Sequence, residues 1–401
     1  MSHIFVTDRV LQLKEALSEL LATHVYPYEH SWLPRPFAEI APELRRLQPE
    51  VEAIGAWNLY LPKELGGPGL SLTEVAQLVE VLGRTPYGLY LCNCQAPDAG
   101  NIELLQHYAD ERITDLYLQP LLNGLIRSCF AMTEPALAGS NPVRMGTTAR
   151  REGDEYVING HKWFTTGADG AAFAIVMAVT NPEAENPYER ASMIIVPTET
   201  PGYEMVRNIP IMGHAGSGWL SHSEIKFHDV RVPVANLLGP EGSGFRLAQE
   251  RLGPGRIHHC MRWIGIAERS FELMCQRAAS RELSAGKMIG DQQMVQQWIA
   301  ECRAQIDACR LSVLHTAHSM DTHGAKAARD QISAIKFLAS NMLLTVIDRA
   351  IQTHGALGVT DDTILSWFYR EERAARIYDG TDETHKASLA RRILKRYRAK
   401  N

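Results

Sequence analysis

The chain has 401 residues, and its 41 Lys and Arg against 46 Asp and Glu leave a net charge of −5. Hydrophobic residues make up 45% and charged residues 22%, which excludes a disordered, collagen-like or disulfide-scaffold chain. The mild acidity argues against a broad nucleic-acid surface. Single cores stop growing at roughly 250–300 residues, so two or three packed domains are expected.

No stretch approaches the ~20 consecutive apolar residues that span a bilayer. The start, MSHIFVTDRV, lacks a basic region followed by a long apolar run. The end, KRYRAKN, is not a Ser-Lys-Leu address. A cytoplasmic protein with no membrane span is expected. Cys92, Cys94, Cys129, Cys260, Cys275, Cys302 and Cys309 are odd in number and contain no Cys-x-x-Cys, so they read as reduced, buried thiols. No second ligand pair at zinc spacing follows Cys92-x-Cys94, and no metal is expected.

Residues 1 to about 125 read as helices joined by Pro/Gly loops. The stretch Leu61-Pro62-Lys63-Glu64-Leu65-Gly66-Gly67-Pro68-Gly69-Leu70 cannot continue a helix. Ser71-Leu72-Thr73-Glu74 after it has the form of a capping box. The helix so opened carries Val75, Leu78, Val79 and Leu82 on one face and should stop near Gly83.

From about 129 to 238 the pattern shortens to alternating runs with tight turns. Glu152-Gly153-Asp154 and Asn159-Gly160 fall between candidate strands. Asn-Gly suits a two-residue hairpin, because both residues tolerate positive φ. Phe173 to Val179 and Met193 to Val196 are apolar runs for buried strands, and Ile225, Phe227 and Val232 continue the pattern.

After Gly239-Pro240-Glu241-Gly242-Ser243-Gly244 a helical period returns. Val295, Ile299, Cys302, Ile306, Cys309 and Val313 alternate spacings of four and three, the seam of a helix bundle. A helix through Ile332, Ile335, Met342 and Val346 should end near Gly355. The last should start after Gly380, with Leu389, Ile393 and Tyr397 on one face. The chain is therefore expected to be mainly α with a β domain. A helical domain over 1–128 precedes a β-barrel-like domain over 129–238 and a C-terminal four-helix bundle over 239–401.

No Walker loop, Gly-x-Gly-x-x-Gly fingerprint, His-Glu-x-x-His or Gly-x-Ser-x-Gly elbow is present. His258 and His259 are adjacent, so on a helix they diverge by about 100° and do not share one metal. A structural or substrate-lining role is expected for them. Three polar stretches are harder to explain by packing: Cys129 to Ser140, Asn159 to Gly167, and Ile377 to His385. Each alone reads as the approach to a strand, a hairpin or a helix cap.

Together and in this order, they resemble the acyl-CoA dehydrogenase family over nearly the whole chain. Pro62 to Gly69 resembles the family's Pro-Glu-x-Tyr-Gly-Gly-x-Gly loop, and Thr133 to Ser140 its Thr-Glu-Pro and Gly-Ser motif. Three segments look like the subclass with an Asp base that is fused to kinase-like domains in animals. They are Leu252-Gly253-Pro254-Gly255-Arg256-Ile257-His258-His259-Cys260-Met261-Arg262, Asn93-Cys94-Gln95-Ala96-Pro97-Asp98, and Asp379-Gly380-x-Asp382-Glu383-x-His385.

The resemblance implies FAD bound between the β domain and the C-terminal helices, and removal of two hydrogens from an acyl-CoA. The family's usual base is the Glu of a Tyr-Glu-Gly-Thr motif, and Asp379 occupies that place in Tyr378-Asp379-Gly380-Thr381. A few members carry the base before the Arg of the helix that follows the β domain; here that residue is Gly255, which has no side chain. The shorter Asp requires a closer approach of backbone or substrate, within ~2.6–3.2 Å of the proton. A site lined by flavin and thioester should raise its pKa. The Asp379 amide is implied to hold the thioester oxygen, an oxyanion-type stabilisation.

For the cofactor, the resemblance implies that Phe130, Met132 and Thr133 line the flavin. Ser140 would meet the pyrophosphate or the CoA. Phe164, Thr165 and Thr166 stand where the family reads Trp-Ile-Thr. Arg281 resembles the Arg that a neighbouring subunit lends to the FAD pyrophosphate, although Glu282-Leu283-Ser284-Ala285-Gly286 contains an extra residue and no Phe. Gln293, Gln352, Gly355 and Gly358 match adenosine and pyrophosphate positions, with Ala356 departing from a paired glycine. Thr381 and Glu383 complete the cofactor set, and Arg256, Ser140 and Gly380 the substrate side. An electron-transfer flavoprotein as acceptor and a homo-oligomer, dimer or tetramer, are also implied.

Two other functions fit the same scaffold. One is a nitroalkane-oxidase-like flavoprotein, which also uses an Asp base. The other is a non-catalytic flavin-bearing relative that binds DNA or protein through Arg391, Arg392, Lys395, Arg396, Arg398 and Lys400. That basic tail reads more simply as a solvated helix, so no nucleic-acid partner is expected.

Overall fold

The computed structural model describes residues 5–141 and 143–398. Residues 1–4, the side chains of Leu252, Gly253 and Pro254, and Lys400 of the basic tail lie outside the described set. In chain order the architecture is helical, then β, then helical. Contacts group it into two compact units, Met1–Pro34, Leu47–Cys92 and Gly253–Asn401 in one, Arg35–Arg46 and Asn93–Leu252 in the other.

In the first unit the capping box forms as read. The Ser71 amide donates to Glu74 Oε2 at 2.9 Å and the Glu74 amide to Ser71 Oγ at 3.2 Å. The helix Leu72–Leu82 follows and ends at Gly83. The bundle seam is also present in the helix Gln293–His323, where Val295, Cys302, Ile306, Cys309 and Val313 are buried. The polar residues between those apolar positions are used too. Arg310 donates to Glu80 at 3.0 Å and engages Glu268, which also accepts from Arg303 at 2.6 Å. This network ties the helix Leu72–Leu82 to two C-terminal helices.

The helix Arg329–His354 ends at Gly355, and the last helix runs Asp382–Arg398. Leu389, Ile393 and Tyr397 do not form a buried face there: Ile393 and Tyr397 are exposed. Two cations of that helix, Arg392 and Arg396, both engage Asp330, so part of the basic tail is paired. The seven cysteines are free thiols, and all but Cys275 are buried. Among the described residues no helix is long and apolar enough to cross a membrane.

The second unit is built on β1 (Ser128–Ala131), β2 (Thr148–Glu152), β3 (Glu155–Thr166), β4 (Phe173–Val179), β5 (Ala191–Pro197), β6 (Tyr203–Asn208), β7 (His222–Pro233) and β8 (Leu237–Leu238). The order is β6-β7-β3-β2-β4-β5-β8, with β1 parallel to β4. The path is open, so the expected barrel-like domain is a sheet with two edges and not a closed barrel. β4 pairs with β1, β2 and β5, and burial of its residues from Phe173 to Ala178 explains its unbroken apolar run.

The turn at Gly153 joins β2 to β3 as expected, with Glu152 opposite Glu155. Asn159-Gly160 is a correction. It makes no hairpin and lies inside β3, where the pairing with β7 shifts register between Ile158 and Gly160. The extra residue is on β7, at Asp229 with φ 48°. Asn159 Nδ2 donates to Asp229 Oδ1 at 2.8 Å, and the Asp229 amide donates to Asn159 Oδ1 at 3.0 Å. Glycine is required at 160 for space, because a Cβ would lie 2.3 Å from Thr147 Oγ1. The dipeptide that signals a turn here serves a β-bulge.

Candidate active site

In the helical unit, the chain between the turn Arg373–Arg376 and the last helix reverses through two positive φ angles, 53° at Asp379 and 93° at Gly380. Asp tolerates the left-handed region better than most residues do. Thr381 Oγ1 then accepts from the Thr384 amide at 3.2 Å and opens the helix. Asp382, the first residue of that helix, is buried. It accepts from Ser340 at 3.0 Å, Asn341 at 2.8 Å and Arg376 at 2.9 Å, with Lys336 Nζ at 3.8 Å. Lys336 donates to the Ala375 carbonyl at 2.7 Å. The reversal is therefore clamped on both sides.

Tyr378 is anchored from the helix Gly244–Ser280. Its hydroxyl accepts from Arg262 Nη2 and Trp263 Nε1, each at 2.8 Å, and Arg262 is itself paired with Glu372. Burial pushes the phenol well above its ordinary range, Glu372 adding to the effect, so it stays protonated. Asp379 is thereby presented with its side chain 21% exposed and Oδ2 at 3.1 Å from His259 Nε2. The His385 ring nitrogen lies 3.0 Å from the Asp379 carbonyl oxygen.

Arg256 adds a cation on this side. Burial pulls its guanidinium down, Asp379 opposes that, and its buried Nε has no hydrogen-bond partner. His258 points elsewhere, as the 100° divergence requires. It faces the Tyr60 ring at 5.8 Å, and burial pushes it down to about 4, so it is neutral.

In the β unit, Met132 and Thr133 line a small cavity with Glu134, Leu137 and Gly139. Thr133 Oγ1 donates to the Trp163 carbonyl at 2.7 Å, and the Trp163 amide returns a bond to the Thr133 carbonyl at 3.0 Å. A second bulge in β3, between Lys162 and Thr165, puts Phe164 at φ 50° with 44% of its surface exposed. Its ring meets Trp163 edge-on at 4.9 Å. Thr166 Oγ1 pairs with His222 Nδ1 at 2.8 Å, whereas the Thr165 hydroxyl is buried without a partner. Phe130 is partly buried under the Arg251 guanidinium, 4.4 Å from its ring centroid, and Ser140 is exposed.

Beneath this surface lies a charge pair that sequence reasoning did not single out. Lys162 is fully buried and donates to Glu134 Oε1 at 2.9 Å and the Met132 carbonyl at 2.8 Å. Glu134 also accepts from the Gly146 and Thr147 amides at 2.6 and 2.8 Å. Both residues sat in the motif stretches, but nothing in strand alternation marks a lysine as inward.

The other expected cofactor residues belong to the helical unit. Arg281 is exposed beside the hairpin of β9 (Glu282–Ser284) and β10 (Lys287–Met288), and Gln293, Gln352, Gly355 and Glu383 are exposed as well. Gly358 is buried, and a Cβ there would stand 2.5 Å from the Ile351 carbonyl oxygen. Gly358→Ala is expected to cost about 1–3 kcal/mol by overpacking, read by urea denaturation.

A flavin needs a flat apolar face edged by hydroxyls and, for its dinucleotide arm, exposed polar groups beside open backbone. Within the β unit, Phe164 supplies the aromatic face and Thr133 and Thr166 the hydroxyls; within the helical unit, taken by itself, Gln352 and Gly355 are exposed. The residues present fit the group.

Three family descriptions together cover most of the chain: "Acyl-CoA dehydrogenase, N-terminal domain" over 7–125, "middle domain" over 129–230 and "C-terminal domain" over 242–394. The chain is 43% identical to the Mycobacterium tuberculosis protein named "Probable acyl-CoA dehydrogenase FadE2", across 98% of this chain and 97% of that one. It is 41% identical to acyl-CoA dehydrogenase family member 11 of Gallus gallus, across 96% of this chain but 49% of that one. The chain thus spans about half the length of that animal relative. A solved structure from Mycobacterium abscessus, assigned as an acyl-CoA dehydrogenase, superposes with a TM-score of 0.92 at 40% identity, covering 98% of this chain and 99% of that one.

Proposed function

The chain belongs to the acyl-CoA dehydrogenase family of FAD-dependent oxidoreductases, and from that premise we propose that it converts an acyl-CoA thioester to the 2-enoyl-CoA with Asp379 as the α-proton base. FAD supplies the two-electron acceptor for the hydrogen that leaves the β-carbon. The observation that carries the reading is the partly open Asp379 carboxylate, set on a clamped reversal beside His259 and Arg256.

The chain's own part is positioning and proton transfer. Asp379 takes the α-proton on its carboxylate, and its backbone amide, with Gly380 giving room, holds the thioester oxygen. Arg256 faces the substrate side with a nitrogen that has no internal partner. Met132, Thr133, Phe164, Thr165 and Thr166, with Phe130 and Ser140, would hold the ring and phosphate portions of FAD. Arg281, Gln293, Gln352, Gly355, Gly358, Thr381 and Glu383 would hold its dinucleotide arm. The reading includes domains over 1–128, 129–238 and 239–401, and a homo-oligomer in which Arg281 reaches a partner's FAD. It also includes an electron-transfer flavoprotein as acceptor and a cytoplasmic site of action.

The test is the visible spectrum of the purified protein under anaerobic titration with a panel of acyl-CoAs. Bleaching of bound flavin by one chain class is the expected result. Reduction by a nitroalkane alone would put the oxidase-like reading in its place, and no flavin after reconstitution with FAD would sink both.

A further inference from the structure

We infer that the buried Lys162–Glu134 pair is a clasp that positions the cofactor-facing segment of the β unit, so that FAD affinity depends on the pair apart from its effect on stability. The inference rests on the assignment of Thr133, Ser140 and Phe164 to Thr166 as cofactor residues. Lys162 and Glu134 are positioning residues that act through those neighbours.

Lys162 is the hub. From β3 its Nζ donates to the Met132 carbonyl at 2.8 Å and to Glu134 Oε1 at 2.9 Å, and these two residues flank Thr133. The next residue of β3 extends the ladder. The Trp163 amide donates to the Thr133 carbonyl at 3.0 Å, and Thr133 Oγ1 donates to the Trp163 carbonyl at 2.7 Å. A carbonyl cannot donate, so the one proton of the Thr133 hydroxyl is spent there, and its oxygen keeps acceptor capacity for a ligand. The aim of that oxygen is thus set by the bonds that join residues 132–134 to residues 162 and 163.

Glu134 carries the clasp to the far end of the segment. Its Oε2 accepts from the Gly146 amide at 2.6 Å and its Oε1 from the Thr147 amide at 2.8 Å. The chain leaves β1 at Ala131 and enters β2 at Thr148, so one ammonium and one carboxylate draw the connecting segment together at its base. Gly139 and Ser140 lie between the tied ends. Met132, Thr133, Glu134, Leu137 and Gly139 line the small cavity there. This is the pattern of a compact loop with its ends held close.

Stability alone does not call for such a pair. Exchanging a buried ion pair for apolar residues of similar volume is often neutral or stabilising. The core contributed by the same strands, Cys129 and Ala131 from β1 and Tyr156 and Ile158 from β3, is apolar. What the pair supplies is direction: the carboxylate accepts from Lys162, Gly146 and Thr147, and the ammonium donates to Glu134 and Met132. Removing both charges together therefore keeps the fold but loosens the aim of Thr133 and Ser140.

The experiment measures the FAD dissociation constant of the full chain by fluorescence titration, beside urea unfolding of the same samples. Lys162→Met with Glu134→Gln should recover most of the stability lost in Lys162→Met, yet bind FAD about tenfold more weakly. Glu134→Asp keeps the charge that balances Lys162 but draws the carboxylate back from the Gly146 and Thr147 amides. It should also weaken FAD binding, by about threefold to tenfold, and it carries the test if the double variant does not fold. Ile194→Ala is the control for stability. Ile194 is buried on β5, separated from β3 by β2 and β4. Its truncation lowers the urea midpoint and should leave FAD affinity within about twofold of wild type.

The visible circular dichroism of the bound flavin, at saturating FAD, is a second readout, because it reports how the ring is held. It should change in both clasp variants and not in Ile194→Ala. Wild-type affinity and dichroism in Glu134→Asp, or in a folded double variant, would overturn the inference and leave the pair a structural one. Wild-type FAD affinity in Phe164→Ala would overturn the assignment of the cofactor residues instead, a separate result because a phenyl ring takes no part in the clasp.

Discussion

Asp379→Asn is expected to slow flavin reduction by acyl-CoA about 10³-fold while leaving the spectrum of bound flavin unchanged. The substitution removes a proton acceptor without removing volume. Asparagine fits the backbone, since Asn58 and Asn93 in this chain also have φ 53°. Its amide oxygen can accept from His259 Nε2, so the clamp around Tyr378 and Gly380 should persist. Loss of rate with retained flavin therefore separates chemistry from folding. A variant that loses flavin or unfolds would show that residue 379 holds the reversal together, and one with wild-type rate would remove Asp379 from the mechanism.

Lys162→Met is expected to destabilise the protein by about 3–5 kcal/mol, because it strands Glu134 as a buried carboxylate without its counter-charge. The side chains of Lys162 and Glu134 are 0% and 7% exposed, so water cannot take the missing partner's place. The double variant Lys162→Met with Glu134→Gln should recover much of the loss, since it leaves no unpaired charge. Urea denaturation followed by tryptophan fluorescence reads both.

The pair also has a signed dependence on pH. Burial opposes ionisation of Glu134, but Lys162 and the donors at Thr147 and Gly146 outweigh it and hold the carboxyl below its ordinary range. Burial pushes the Lys162 ammonium from 10.5 down to about 8, against the pull of Glu134. Between those values the unfolded chain binds a proton that the folded chain does not. The cost of burying this charge, complete below pH 8, is therefore relieved as pH rises through the window. The unfolding free energy of wild type should gain a positive slope there that Lys162→Met lacks. Equal slopes would place the lysine's titration elsewhere.

What was legible in the sequence followed from local pattern. The capping box at Ser71, the β4 run and the Val295–Val313 seam each repeat one physical rule over several residues, and each formed as expected. The Asp379 stretch was visible because its residues depart from packing logic. What escaped depends on partners distant in sequence. Asn159-Gly160 carries a hairpin signal, but Asp229 takes both ends of the Asn159 amide. The last helix has an apolar period, yet Ile393 and Tyr397 face outward among the described residues. Lys162 is inward only because Glu134, 28 positions earlier, lies beside it. His259 was set apart from His258 by helix geometry, but its partner lies across the bundle, beyond what spacing can reveal.

The bulge between Lys162 and Thr165 has an effect on parity. Before it, Tyr156, Ile158 and Lys162 are buried at even positions, with Val157 covered as well, whereas Asn159 and His161 are not buried. After it Thr165 is buried and Thr166 is not. One extra residue thus shifts the parity of the numbering for the last part of the strand, while the pairing with β7 keeps Thr165 inward and Thr166 outward. A one-codon deletion at Phe164 would therefore leave the strand's two faces as they are: Trp163 alone would stand opposite Glu224, with Thr165 still inward and Thr166 still outward. What the deletion would remove is the outward aromatic ring itself, so the extra residue is there to display Phe164 while its neighbours keep their sides.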